Sequence, residues 1–174
     1  MEFITARPEH LEDMWRITLD AKAQLKGLGL DQWQKGYPSL EVWQQDFVDE
    51  TGLLAVEDGQ VLAACAYLTT HDPSYTTIDG AWLTGDIRAY GSLHRVCVAD
   101  QAKGKGVAGK LFAHAFAITK AAGLPSVRID THPGNLPMQK TLAKNGFMRC
   151  GIVILPGDPA VRGSRERVAF EKDW

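Results

Sequence analysis

DQAKGKGVAGKL, Asp100 to Leu111, holds three overlapping phosphate-binding spacings, and each implies a different architecture. Gly104, Gly106 and Gly109 spell GxGxxG, Gly104 to Lys110 spells GxxxxGK, and Gln101 to Gly106 spells QxxGxG. All three put glycine where a backbone must come close to a phosphate. A nucleotide P-loop follows its GK with Ser or Thr, whose hydroxyl helps hold magnesium; Leu111 stands there, and its apolar side chain cannot. The dinucleotide reading has a strand before the glycines, a helix after them, and Asp130 about 20 residues on at a strand end, where a ribose contact would lie. Its glycines should follow the strand directly, yet Ala99 to Lys103 intervene, and too few strands remain for a full dinucleotide domain. QxxGxG expects the extra residues: consecutive main-chain amides wrap a diphosphate, and a helix starting near Val107 adds the positive end of its dipole.

The flanking sequence fits one βαβ unit. Ser92 to Val98 reads as a strand, Val107 to Ala122 as a helix stopped by Gly123 and Pro125, and Ser126 to Asp130 as the next strand. Upstream, Glu2 to Ala6 reads as an edge strand. A helix follows, with Pro8 in its first turn and Leu11, Trp15, Thr18, Lys22 and Leu25 on one face. Ser39 is placed to cap a second helix carrying Leu40, Trp43 and Phe47 and ending at Gly52. Leu53 to Val56 and Val61 to Thr69 flank Asp58 and Gly59, a pair suited to a tight hairpin turn. His71 to Gly91 is rich in turn residues and aromatics, so it reads as a long hairpin connection or an insertion above the sheet. Downstream come a short helix from Pro137 to Lys144, a strand from Phe147 to Leu155 and a closing strand at Val168 to Glu171.

With 45% hydrophobic and 23% charged residues in 174, residues 1–174 have the makings of a single domain with a real core. A net charge of -2 argues against a nucleic-acid partner, which needs a broad basic surface. Cys65, Cys97 and Cys150 are odd in number and set in apolar runs, as suits buried thiols in a reducing cytoplasm rather than disulfides or zinc. No apolar run approaches the ~18 residues of a membrane span and MEFITARPEH has no leader pattern, so the expectation is a cytoplasmic protein without a membrane partner.

LHRVCVADQAKGKGVAGKLF, SVRIDTHPGN and MQKTLAKNGF, in that order, resemble the GNAT superfamily of acetyl-CoA-dependent N-acetyltransferases. The resemblance implies an α+β fold of three layers, with a central mixed sheet of about seven strands between helices and a parallel strand pair that splays apart. It implies acetyl-CoA as cosubstrate, no metal, and transfer of the acetyl group to a primary amine of a small molecule or peptide; it leaves room for a homodimer. In the family the pantetheine arm enters between the splayed strands. Here Val96, Cys97 and Val98 would offer it main-chain contacts, and an amide there would polarise the thioester carbonyl. Lys103, Gly104, Lys105, Gly106, Val107 and Ala108 would hold the diphosphate, and Asn135 the pantetheine region, with helix capping as its alternative role.

The attacking amine must lose a proton, and His94, on the strand beside the acetyl group, is the candidate base. A histidine simply satisfied within the core is the competing reading. Many family members carry a tyrosine four residues before the glycine of the final GF, as proton donor to the thiolate; Leu142 stands there instead. Tyr90 or a water is the substitute, or the thiolate leaves unassisted, being no more basic than a cysteine thiolate. Leu142 also keeps a non-catalytic acyl-CoA-binding sensor in view as the alternative function. Asp130 and His132 share a strand face but lack a third metal ligand, so they are assigned to organising the loop before Asn135. Trp33 and Tyr37, with Tyr75, Trp82 and Tyr90, would wall an acceptor pocket, although any single tryptophan is as well explained by core packing.

Overall fold

The computed structural model describes residues 1–174. Asp58 and Gly59 take φ angles of 51° and 75°, the two positive values of a tight hairpin turn, and fold β2 (Gly52–Glu57) back on β3 (Gln60–Leu68). This hairpin is extended on one side by β1 (Glu2–Thr5) and on the other by β5 (Gly91–Val98), both antiparallel. β5 then runs parallel to β6 (Ser126–Thr131), as a βαβ crossover through α3 (Val107–Ala121) requires. With β7 (Met148–Ile154), β8 (Glu166–Asp173) and a two-residue β4 (Asp79–Gly80), the sheet has eight strands in the order 1-2-3-5-6-8-7-4.

Helices α1 (Leu11–Gly27) and α2 (Leu40–Val48) join β1 to β2, and α4 (Leu136–Lys144) joins β6 to β7. The short α5 (Pro159–Arg162) lies between β7 and β8. The face that α1 buries is Met14, Ile17, Thr18, Ala21 and Leu25; Thr18 and Leu25 are where they were expected, while Met14, Ile17 and Ala21 replace Leu11, Trp15 and Lys22 in the stripe. Ala21 lets the helix approach the sheet where Lys22 could not. Lys22 sits at the edge instead, its ammonium 5.2 Å from the Trp15 ring centre. Helix α2 stops at Val48 rather than at Gly52, which opens β2.

The main core lies between these helices and the sheet, with Met14, Ile17, Trp43, Leu93, Leu111 and Phe112 among its buried members. A second, smaller core holds down the 71–90 segment: Tyr75, Trp82 and Tyr90 pack on Val153 of β7 and Ala169 of β8. The expected insertion is therefore anchored to the far half of the sheet, through β4 as well as these aromatics. No helix is long and apolar enough to cross a membrane.

Candidate active site

β5 and β6 are paired only at Gly91 with Val127, Ser92 with Arg128 and Leu93 with Ile129. Beyond Leu93 the strands diverge, and the edge of β5 from His94 to Val98 is left without a strand partner on that side. A bulge begins at the same point. Ala66 of β3 pairs with His94 and Ala64 with Cys97, so Arg95 and Val96 together oppose Cys65. Arg95 takes φ of 55°, a costly value for a side chain with a Cβ. It is held there by a bidentate pair with Asp46, both contacts at 2.6 Å, by a bond to the Tyr37 hydroxyl at 3.1 Å, and by the Trp43 ring beneath its guanidinium. The bulge reverses the alternation of β5. A Cβ on Gly91 would point at Thr119 of α3, whereas the Cys97 sulfur lies 4.0 Å from the Thr18 hydroxyl of α1.

The gap continues into a cleft of about 890 Å³ that runs from the loop before α3 to the α1–α2 connection. Gly104 and Gly106 have φ of 74° and 75°, and a Cβ at either would meet no protein atom within 4 Å. Lys103 and Lys105 donate their amides to Asp100 and Ala102. The amides of Gly104, Gly106, Val107, Ala108 and Gly109 have no main-chain acceptor. Five free N–H groups at the positive end of a 15-residue helix are a ready anion site. Lys103, Lys110 and Lys144 line the same end of the cleft, whereas Lys105 does not. Lys103 is also paired with Asp100.

At the other end His94 and Asp130 emerge from neighbouring strands on one face. His94 Nε2 lies 3.3 Å from Asp72 Oδ2 and 3.2 Å from Ser92 Oγ, and its ring stacks on Tyr75. Burial holds its pKa below the ordinary imidazole value, against the opposing pull of Asp130 and Asp72. Asp130 accepts a 2.8 Å hydrogen bond from Tyr75, and burial raises its pKa. Arg167 Nε approaches Asp130 at 3.9 Å.

The structure brings His94, Val96, Val98, Lys103, Gly104, Gly106, Val107, Ala108, Asn135, Trp33 and Tyr37 to one cleft. Asn135 also caps α4, accepting from the Met138 amide at 3.2 Å. Cys97 adjoins the cleft only through its backbone, because its thiol is turned to α1 and burial pushes the pKa up to about 12. Trp82 and Tyr90 lie outside it. They sandwich the Arg128 guanidinium, at 4.2 and 4.1 Å, behind the site wall. The Tyr90 hydroxyl accepts from the Asp72 amide, so it braces the residue that pairs with His94. Leu142 is fully buried in the core. His132 does order the turn before Asn135, accepting from the Gly134 amide, but Asp130 faces the cleft.

Sequence reading missed Asp72, Gln32, Lys110, Lys144, Arg162 and Arg167, all cleft-lining. Only Lys110 carried a local signal, one helical turn after the glycines. The rest converge from separate loops and strands.

The model of the acetyltransferase (GNAT) family matches residues 11–147. No curated protein matches the sequence. Among solved structures, a GNAT-family acetyltransferase from Streptococcus agalactiae is 30% identical, with 99% of this chain and 95% of that one covered and a TM-score of 0.83. A ribosomal-protein-alanine N-acetyltransferase from Brucella melitensis is 20% identical, with both chains covered completely and a TM-score of 0.70. The PaiA N-acetyltransferase from Thermoplasma acidophilum, solved in complex with coenzyme A, is 18% identical over 99% of this chain and 98% of that one, with a TM-score of 0.69. With the family model spanning most of its length, and with a splayed strand pair leading from a glycine loop to a histidine, the chain belongs to the GNAT family of N-acetyltransferases.

Proposed function

We propose that the protein moves the acetyl group of acetyl-CoA to a primary amine of a small molecule or peptide by direct attack of the amine on the thioester. One observation carries this reading. A single cleft connects five free main-chain amides, the gap between β5 and β6, and a half-buried histidine facing two carboxylates.

The free amides from Gly104 to Gly109, with Lys110 and Lys144 beside them, are suited to the diphosphate of coenzyme A, and Val96 and Val98 to its pantetheine arm. Acetyl-CoA supplies an activated acyl carbon. The amine nitrogen bonds to that carbon, the carbon–sulfur bond breaks, and one proton leaves the nitrogen while the thiolate departs. His94 is the base of this scheme: with Nε2 engaged by Asp72 and Ser92, Nδ1 is left to take the proton, directly or through water. Desolvation lowers its pKa against the pull of Asp130 and Asp72, which favours the neutral ring, the form a base needs. Trp33 and Tyr37 wall the acceptor end, and Tyr90 serves by bracing Asp72 rather than by giving a proton.

The test is thiol release from acetyl-CoA with a panel of amines, product masses being read in parallel. The expected result is saturable release that depends on an added amine and yields its acetyl derivative; acetyl-CoA binding with no amine-dependent release would refute the reading.

A further inference from the structure

Two loops meet over the acceptor end. Asp31, in the α1–α2 loop, accepts from the Ser164 amide at 2.6 Å and the Ser164 hydroxyl at 2.8 Å. The Arg162 guanidinium lies 4.3 Å from the Tyr37 ring centre. Arg162 lines the cleft and has no carboxylate within ion-pair distance. Its neighbour Arg167, also lining the cleft, is buried at 3% exposure, and its one ionic contact is the 3.9 Å approach to Asp130. Arg167 also donates to the Ser164 and Glu166 carbonyls, both at 2.7 Å, whereas Arg162 has only the Tyr37 ring beside it, so Arg162 is the guanidinium left to meet an anion in the cleft.

A second observation does not involve Arg162 or Arg167. Two buried side-chain atoms in the whole chain lack a hydrogen-bond partner, Gln32 Oε1 and Arg95 Nε, and both residues line this cleft. Gln32 is only 8% exposed. An unpaired acceptor and an unpaired donor thus sit in the wall of the cleft, the donor on a residue whose charge Asp46 already matches. Asp72 and Asp130 stand beside His94 in the same cleft. The acceptor end thus carries both signs: Asp72 and Asp130 beside His94, Arg167 of β8 in contact with Asp130 at 3.9 Å, and Arg162 of α5 without a carboxylate partner.

Resting on the acetyl-transfer reading above, we propose that the acceptor is a small amine that also bears a carboxylate, an amino-acid-like zwitterion. Its nitrogen faces His94, Asp72 and Asp130, and its carboxylate is held by Arg162. Arg162 then sets specificity and takes no part in bond making.

The experiment compares amino acids with their own carboxamides and with the corresponding decarboxylated amines, on the unmodified protein and on Arg162→Gln and Arg162→Lys. Acetyl-CoA binding is measured separately by titration calorimetry. On the unmodified protein the acids should exceed the amides in kcat/KM by about tenfold or more, mainly through KM. Arg162→Gln should erase that preference while acetyl-CoA still binds, and Arg162→Lys should restore part of it. Amides are the less basic amines and hold more reactive neutral nitrogen, so basicity alone cannot produce the expected order. If acetyl-CoA binds and amides or plain amines are acetylated as well as acids, the zwitterion assignment fails and acetyl transfer stands. If acetyl-CoA does not bind, or binds with no amine acetylated, both fall together.

Discussion

His94 is hemmed in by Asp72, Ser92 and the Tyr75 ring, and what it can do follows from that confinement. Burial lowers its pKa, so a rate that needs the free imidazole should fall as the pH drops through a value below the ordinary imidazole pKa of about 6.5. His94→Ala should cut kcat by about 100-fold or more and leave acetyl-CoA affinity nearly unchanged. A pH–rate profile that keeps the same acidic limb in the variant would move the role of base elsewhere, with Asp130 next in line. The histidine was legible in the sequence because it lies four residues before the end of a recognisable strand. Asp72 was not, since it comes from an irregular segment, with its amide anchored by Tyr90 and its carboxylate by the Ser74 amide.

At the scale of the element, the loop before α3 needs glycine for its conformation and its empty space together. Gly104 has φ of 74° with nothing within 4 Å of a Cβ. Gly104→Val should therefore cost about 1–2 kcal/mol in backbone strain and, separately, fill the space a diphosphate would occupy. Calorimetry should register at least a tenfold weaker acetyl-CoA affinity, with a melting temperature lowered by only a few degrees. This element was readable from local spacing alone. The bulge in β5 was not: Arg95 adopts its strained angle because Asp46, Tyr37 and Trp43, distant in sequence, converge on its guanidinium.

Across the whole molecule, a buried ion pair fastens the 71–90 segment to the far half of the sheet. Arg128 and Glu171 are 1% and 0% exposed and 3.0 Å apart, and Glu171 also accepts from Ser126 and Thr84. Burial pushes the Glu171 pKa up, but these hydrogen bonds and Arg128 outweigh it and hold the carboxylate below its usual range. The unfolded chain consequently binds the proton more readily, so this contribution is present above the ordinary carboxylate value of about 4.3 and is lost as the pH falls through the lower folded value. Glu171→Ala should destabilise by about 3–5 kcal/mol in chemical denaturation, because Arg128 is left charged and buried. Trp82 and Tyr90 stack on that arginine, which is why two aromatics expected around the acceptor lie behind the wall instead. The sequence by itself determined the order of the main strands and helices, the hairpin turn at Asp58 and Gly59, the glycine loop and the family, since periodicity, turn chemistry and phosphate-loop spacing are written in consecutive residues. Only the tertiary structure decided which aromatics meet the cleft, how far β5 and β6 splay, and that Gln32, Asp72, Arg162 and Arg167 share one site. Those outcomes depend on charges and rings from distant segments satisfying one another inside the fold, and no local pattern encodes that.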